Sequence, residues 1–589
     1  MTAVAVPWSV LGQPAPATTR NEPEPDQDQT DLHALVEAIR EAAADLPPQR
    51  GPWLEPLPAM VRLSTLFRGD ASALGEGPAT TPAGPLPALP LRPVPYGLAD
   101  LPERQVQQPA VLDLEHGSHL LVVGAPRSGR STMLRTVAGA IALRCQPQDV
   151  HLYALDCGNG ALLPVAGFPH CGAVVQRSQV GRADRLLTRL TIELARRQDL
   201  LAAGGFADVA EQRAAAVADP LPFLVLLVDR WEGFLSAFDD IDAGRLTDTF
   251  LRLLREGPGA ELRVVVAGDR SALLSKISSS IEDTLVLRLA NRSDYALAGL
   301  SPRLLPGHIE SGRAFRGDSG VEVQIALLGT DGSGAAQAAE LGTIVSTWAT
   351  APALPRDRRP FRVEVLPTRL TYAEIEPLPS QERGPLVITV GVGGDELAAV
   401  TVDLALLGPG FTIAGPARSG RSTALLAAAG SLLAAGTQLC ILAPRPSPLR
   451  DLAGAAGVLR VVTDSDPRPE GLVSTFNEAN GAFAVLIDDA ELLHASDVQP
   501  LLQQVLRDGR DLGHCLIVAG TTDEFAGAFR GFTADVRKSR SGLLLSPRSH
   551  LEGQLLGARL ARSAAFNGPP GRGLLITPGQ VLLVQVPVP

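Results

Sequence analysis

Two nine-residue stretches share one pattern, Gly-Ala-Pro-Arg-Ser-Gly-Arg-Ser-Thr at 124–132 and Gly-Pro-Ala-Arg-Ser-Gly-Arg-Ser-Thr at 415–423. Each follows a short apolar run and leads into a helix-forming stretch. Glycines so spaced let backbone N–H groups turn inward around an anion, at the start of a helix whose dipole favours negative charge. That is phosphate-binding chemistry. In the pattern G-x-x-x-x-G-K-[ST], lysine reaches the β and γ phosphates and the hydroxyl ligates Mg²⁺. Gly124, Gly129, Ser131 and Thr132 supply everything but the lysine, whose place Arg130 takes; Gly415, Gly420, Ser422 and Thr423 do likewise around Arg421. These are the nucleotide-binding candidates, and the ligands they imply are ATP and Mg²⁺. Arginine keeps the charge, but its planar fork is bulkier and bonds along fixed directions. It is expected either to crowd the γ-phosphate or to swing out of the loop.

Downstream of each loop an apolar run ends in aspartate, Asp229 in one case and Asp488 in the other. With Ser131 and Ser422, these are the candidate Mg²⁺ ligands. Hydrolysis also needs a group that orients the attacking water. Arg230 follows Asp229, and Asp489 follows Asp488, so Asp489 is the one weak candidate for a catalytic base. Glu232 and Glu491 lie three positions beyond the aspartates, in helix-start context, where a solvated or capping role is expected. Arg270 and Thr521, at the tips of the next strands, are candidate γ-phosphate sensors. His170 and Cys171 lack a second ligand pair at zinc spacing and read as a turn.

The elements that must position these residues occur twice. The loops lie 291 residues apart, and their surroundings match in order: a strand ending in an apolar residue, Asp and Leu before (Leu112-Asp113-Leu114 and Val402-Asp403-Leu404), an apolar helix after, the aspartate strand, a helix–strand pair, then a Gly-Arg turn entering a hairpin. Strands alternating with helix-length segments indicate α/β units with mainly parallel sheets. The expected layout is a disordered segment over 1–30, a helix and proline-rich linker over 31–95, a first domain over 96–349 and a second over 350–589. Composition is that of a globular protein, with 45% hydrophobic and 20% charged residues among 589. A net charge of −11 gives no general attraction to nucleic acid or anionic lipid. Only Lys276 and Lys538 are lysines, so a general drift to arginine could explain Arg130 and Arg421, but not the missing glutamates. No run approaches the roughly 20 apolar residues of a membrane span. Direct membrane insertion is not expected, and the five scattered cysteines suit a reduced, cytoplasmic setting.

With loops, acidic strands and flanks together, the chain resembles the FtsK/SpoIIIE family of RecA-like P-loop ATPases. Within that family it is most similar to the C-terminal tandem ATPase domains of type VII secretion (EccC-like) proteins. The segment Trp53-Leu54-Glu55-Pro56-Leu57 resembles their W-L-x-P-L lead-in, "YGLADLPERQ" their I-G-x-x-D-x-P motif, and "GFPHCG" their L-P-H-x-G turn. The resemblance implies two tandem RecA-like domains with degenerate sites. It further implies an accessory or regulatory role beside a membrane-bound secretion ATPase, engaging small helical secreted substrates. Two alternatives stay open. One is a DNA-translocating motor; the acidic charge and the lack of room for a DNA-reading module after the second repeat count against it. The other is a non-catalytic scaffold with vestigial sites. Whether ATP is turned over, and whether the chain forms homo-oligomers, stay open as well.

Overall fold

A computed structural model describes residues 30–46, 54–70, 91–215, 217–352, 354–375, 384–560 and 568–588, with residues 9 and 12. The segment expected to be disordered falls almost wholly outside the described residues, as do Trp53 and residues 71–90 of the proline-rich linker. Helix α1 (Asp31–Ala42) belongs to a compact unit separate from the two sheets. Thr30 caps it by accepting the His33 N–H, and Leu32, Leu35 and Ile39 are exposed.

The rest of the chain builds two sheets of one design. In the first, ten strands form the main path, β1 (Val94–Leu101), β2 (Val106–Leu112), β3 (Leu120–Val123), β4 (Val150–Asp156), β5 (Cys171–Gln176), β6 (Phe223–Asp229), β7 (Leu262–Gly268), β8 (Asp283–Leu287), β9 (Arg313–Arg316) and β10 (Glu322–Leu327), and an eleventh, the two-residue strand Val61–Arg62, pairs with β10 in parallel off that path. The second contains β11 (Val387–Gly393), β12 (Ala398–Asp403), β13 (Gly410–Ala414), β14 (Gln438–Leu442), β15 (Val458–Val462), β16 (Phe483–Ile487), β17 (His514–Gly520), β18 (Gly542–Leu545), β19 (Arg572–Thr577) and β20 (Gln580–Gln585). Their orders are β2-β1-β10-β9-β8-β3-β7-β6-β4-β5 and β12-β11-β20-β19-β18-β13-β17-β16-β14-β15. Adding ten to each label converts the main path of one sheet into the other. The duplication read from the sequence is therefore a duplication of topology. From β8 to β5 all neighbours are parallel, and the remaining strands add an antiparallel wing.

Parallel strands covered on both faces read as continuous apolar runs. "FLVLLVD" in β6 shows why. Phe223, Val225 and Leu227 join the core on one face, while Leu224, Leu226 and Val228 join that on the other. In the second sheet, Ala484 and Leu486 face one way and Phe483, Val485 and Ile487 the other. Helices α2 (Arg130–Arg144) and α3 (Val180–Gly204) cover opposite faces of the first sheet, and α4 (Arg421–Ala434) repeats α2 in the second.

Two features go beyond the sequence pattern. Arg313, in the Gly-Arg turn, donates to the carbonyls of Leu57 and Pro58 at 2.8 and 3.2 Å. Arg572 does the same to Leu366 and Pro367 at 3.0 and 2.6 Å. Both lead-ins are thus stapled by equivalent arginines, and we read each as part of its repeat. Residues 361–364 between the repeats lie across the first domain: Phe361 stacks on Tyr153 at 4.4 Å and Val363 is fully buried. Arg182 donates to the Val363 carbonyl at 2.6 Å, while Arg185 reaches the Glu364 carbonyl and the Asp395 carboxylate of the second domain.

Three histidines are buried in the first domain. Burial pushes His119 and His170 down to about 4 and His151 to about 3. His119 accepts the Val264 N–H at Nδ1 and donates from Nε2 to Leu254, so it must be neutral. Between about pH 6.5 and 4 the unfolded chain takes up protons that the folded chain refuses, so stability falls as pH falls through that window. Each histidine contributes about 1.4 kcal/mol per pH unit there. Urea unfolding at pH 7.5, 6.5 and 5.5 should show the first domain losing stability below pH 6.5, with about a third less dependence in a His170→Gln chain.

Candidate nucleotide-binding sites

Both loops leave the C-terminal end of a central parallel strand. Gly124, just after β3, donates its N–H to Gly268 at 3.1 Å, and Gly415, just after β13, donates to Gly520 at 3.3 Å. A side chain on Gly124 would begin 2.2 Å from Ser128 Oγ, and one on Gly415 2.6 Å from Ser419 Oγ, so neither position has room for one. Gly129 and Gly420 enter α2 and α4 with φ of +116° and +100°, in the left-handed region that favours glycine. Neither helix start has a side-chain cap. First-turn N–H groups of both helices therefore face an uncapped cradle, the arrangement that suits a phosphate. The Gly-Arg turns close the loops from behind: Gly312 donates to Ser128 at 3.0 Å, and Gly571 to Ser419 at 2.8 Å.

The arginines at the lysine positions swing toward carboxylates. Arg130, 9% exposed along its side chain, donates to Glu232 at 3.1 Å. Arg421 donates to Asp489 at 3.2 Å and to the Gly415 carbonyl at 3.1 Å. Glu232 is therefore not a solvated cap; its other oxygen accepts the Asp269 N–H at 3.1 Å, tying the pair to the tip of β7. Glu491 also departs from the expected solvated role, with one carboxylate oxygen buried and without a partner.

Ser131 donates to both oxygens of Asp229, at 3.0 and 3.1 Å. Burial is the main reason that Asp229 is pushed up to about 6. The second site is wired differently. Asp488 accepts from Ser447 at 2.7 Å and from the Asp489 N–H at 3.2 Å, and no hydrogen bond from Ser422 to Asp488 is present among the described residues. Asp489 is shifted up by burial and by Asp488, against the pull of Arg421. Its place in the first site is held by Arg230, and both residues adopt left-handed backbone, φ 62° and 51°.

The sensor candidates sit at the expected strand tips but are otherwise engaged. Arg270 lies 3.6 Å from Asp294 with its side chain 58% exposed, and Thr521 accepts the Glu524 N–H as a helix cap. Thr132 and Thr423 are half-buried in the first turns of α2 and α4. His170 is a buried turn residue bonded to the Cys145 carbonyl. Ser447 escaped sequence reasoning because nothing in "PRPSPLR" marks it, whereas the spacing of Glu232 was visible and its partner was not.

Among known proteins, residues 92–312 match the FtsK/SpoIIIE family model. The chain is 28% identical over 590 residues to the ESX-4 secretion system protein EccC4 of Mycobacterium tuberculosis, covering 95% of this chain and 44% of that protein. It is 28% identical over 555 residues to the ESX secretion system protein EccC of Thermomonospora curvata, covering 87% and 40%. The chain thus spans less than half the length of these curated relatives. The solved structure of ATPases 2 and 3 of EssC from Geobacillus thermodenitrificans has the same fold, with TM-score 0.68 and 20% identity over 91% of this chain and all of that one. ATPases 2 and 3 of Thermomonospora curvata EccC, solved in complex with a signal sequence peptide, match with TM-score 0.58 and 25% identity over 84% and 93%. The chain is therefore similar to FtsK/SpoIIIE-type secretion ATPases, and its two repeats follow the tandem fold of their second and third ATPase domains. No helix among the described residues is long and apolar enough to cross a membrane.

Removing one partner of a mostly buried ion pair leaves the other charge stranded. Glu232→Ala should cost about 1–3 kcal/mol of first-domain stability, and Arg130→Met with Glu232→Leu less than Glu232→Ala alone. A double-mutant cycle by chemical denaturation reads the coupling.

Proposed function

We propose that this chain is a nucleotide-binding accessory module of a type VII-like secretion machine, whose loops bind ATP but turn it over poorly. The observation carrying this is that both lysine-position arginines are held by carboxylates of their own domain, at 3.1 and 3.2 Å. A carboxylate engaged by a guanidinium is poorly placed to orient water, and a guanidinium so engaged must be released before it contacts a γ-phosphate. The loop amides, with Ser131 and Ser422, would hold the phosphates. In the second site Ser422, Asp488 and Asp489 would supply oxygens of the kind Mg²⁺ takes, and the ion would neutralise phosphate charge there. In the first site the fit is poor, because a guanidinium stands where the second carboxylate should be.

The partner side of the proposal rests on a difference between the repeats. Strand β5 is buried almost throughout beneath the inter-repeat segment, whereas its counterpart β15 is half-exposed. Phe361 and Val363 occupy the first groove; next to the second lies the helix Pro469–Glu478, with Val473 exposed. An extended or helical segment of a secreted substrate could cover β15 as residues 361–364 cover β5. The relative solved with a signal sequence peptide supports this choice of partner over nucleic acid.

The test is a thermal-shift titration with Mg-ATP, alongside phosphate release. A bound ligand raises the midpoint by mass action. The expected result is a rise that Ser131→Ala with Ser422→Ala diminishes, and phosphate release no faster than in that variant. Rapid turnover by the native chain would overturn the poor-hydrolase part, and no shift at millimolar ATP would leave a scaffold.

A further inference from the structure

At one backbone position the two sites carry opposite charge. Arg230 and Asp489 each follow the strand aspartate in left-handed backbone, so their side chains leave the chain in corresponding directions. Such backbone is uncommon for a non-glycine residue, and Asp tolerates it better than Arg. The Arg230 guanidinium makes no hydrogen bond or ion pair among the described residues, although it is only half-exposed. It stands beside the strand carboxylate: Asp229 Oδ2 and Arg230 Nε lie 2.9 and 3.2 Å from the point where a side chain on Gly158 would begin. The two groups are thus within about 6 Å of each other across one small gap, a range over which charges in a partly buried site interact strongly. Arg130 and Arg230 both act electrostatically on Asp229, so two guanidinium charges favour its ionised form. In the second site Asp488 has a carboxylate neighbour, Asp489, which is itself paired with Arg421 at 3.2 Å, and the hydroxyl of Ser447; there the residue after the strand aspartate adds a negative charge rather than a positive one.

A divalent cation is favoured by gathered oxygens and opposed by nearby fixed positive charge. We infer that the first site takes the polyphosphate of a nucleotide without a divalent cation, the Arg230 guanidinium supplying the positive charge that a metal supplies in the second site. This rests on the nucleotide-binding proposal above and assigns its two loops different ligands: free nucleotide for the first, the metal complex for the second. A guanidinium is well suited to the task, since it bonds phosphate oxygens in a fixed fork and cannot be deprotonated. It also replaces the Mg²⁺ ligation that the sequence suggested for Ser131 and Asp229; their mutual hydrogen bonds, at 3.0 and 3.1 Å, then shape the floor of the site.

The test titrates the full chain with a fluorescent ATP analogue, once in excess Mg²⁺ and once in EDTA. The native chain should keep one class of binding in EDTA, with its affinity changed less than about threefold, and lose the other. Arg230→Asp should weaken the EDTA-resistant class about tenfold or more, the loss expected for one charge-assisted contact to phosphate, and Arg230→Lys should weaken it less. Asp489→Arg, the mirror change, should create EDTA-resistant binding in the second site. Loss of all binding from the native chain in EDTA, with binding intact in Mg²⁺, would overturn the inference and leave the nucleotide-binding proposal standing. An EDTA-resistant class indifferent to Arg230→Asp would overturn it as well. Absence of binding in both conditions would remove the nucleotide-binding proposal itself. If Arg230→Asp does not fold, as judged by its melting transition, Arg230→Gln and Asp489→Arg decide.

Discussion

The pairing of a loop arginine with a carboxylate in its own domain is the interaction on which the character of both sites depends. Lysine at these positions would present a compact charge on a flexible stem. Arginine presents a wide fork, and in each domain that fork has found an acidic side chain just past the aspartate strand, Glu232 or Asp489. The pair joins the first turn of the loop helix to the turn after β6 or β16. The Gly-Arg turn closes the loop from behind. The loop keeps its glycines and uncapped helix start, while its guanidinium is engaged by a carboxylate.

The rest of the architecture serves to bring those parts together. Continuous apolar runs such as "FLVLLVD" and "AFAVLI" bury strands on both faces and end in an aspartate at the sheet's C-terminal edge, where the loops also emerge. Because the sheet is parallel there, residues about 100 positions apart, such as Ser131 and Asp229, come within 3.1 Å. The same topology repeated gives two sites of equivalent backbone layout whose side chains have diverged. Arg230 against Asp489 is the sharpest divergence, since the backbone conformation is shared and only the charge differs.

Much of this was legible in the sequence. The loops, the aspartate strands and the internal repeat rest on local signals: glycine spacing, unbroken apolar runs, the same motifs in the same order. What was not legible depends on directions that spacing does not encode. Glu232 could be counted as the third residue past Asp229, but that its side chain turns back to Arg130 and accepts the Asp269 N–H follows from the left-handed turn at Arg230. Ser447 reaches Asp488 from a proline-rich loop 41 residues upstream, a contact that only the sheet order creates. The prolines of the inter-repeat segment break helix and strand alike and give no sign of a packing role, yet Phe361 and Val363 are anchored in the first domain.

If Glu232 holds Arg130 away from nucleotide, neutralising it should free the charge for phosphate. The direct measurement is the equilibrium affinity for ATP of the native chain beside one carrying Glu232→Gln, by calorimetry on matched, folded samples. Tighter binding at the first site of the substituted chain, about threefold or more, is the expected result, since the released Arg130 guanidinium gains a phosphate contact. Unchanged or weaker binding would mean that the pair does not compete with nucleotide, and that Arg130 serves only to brace its loop.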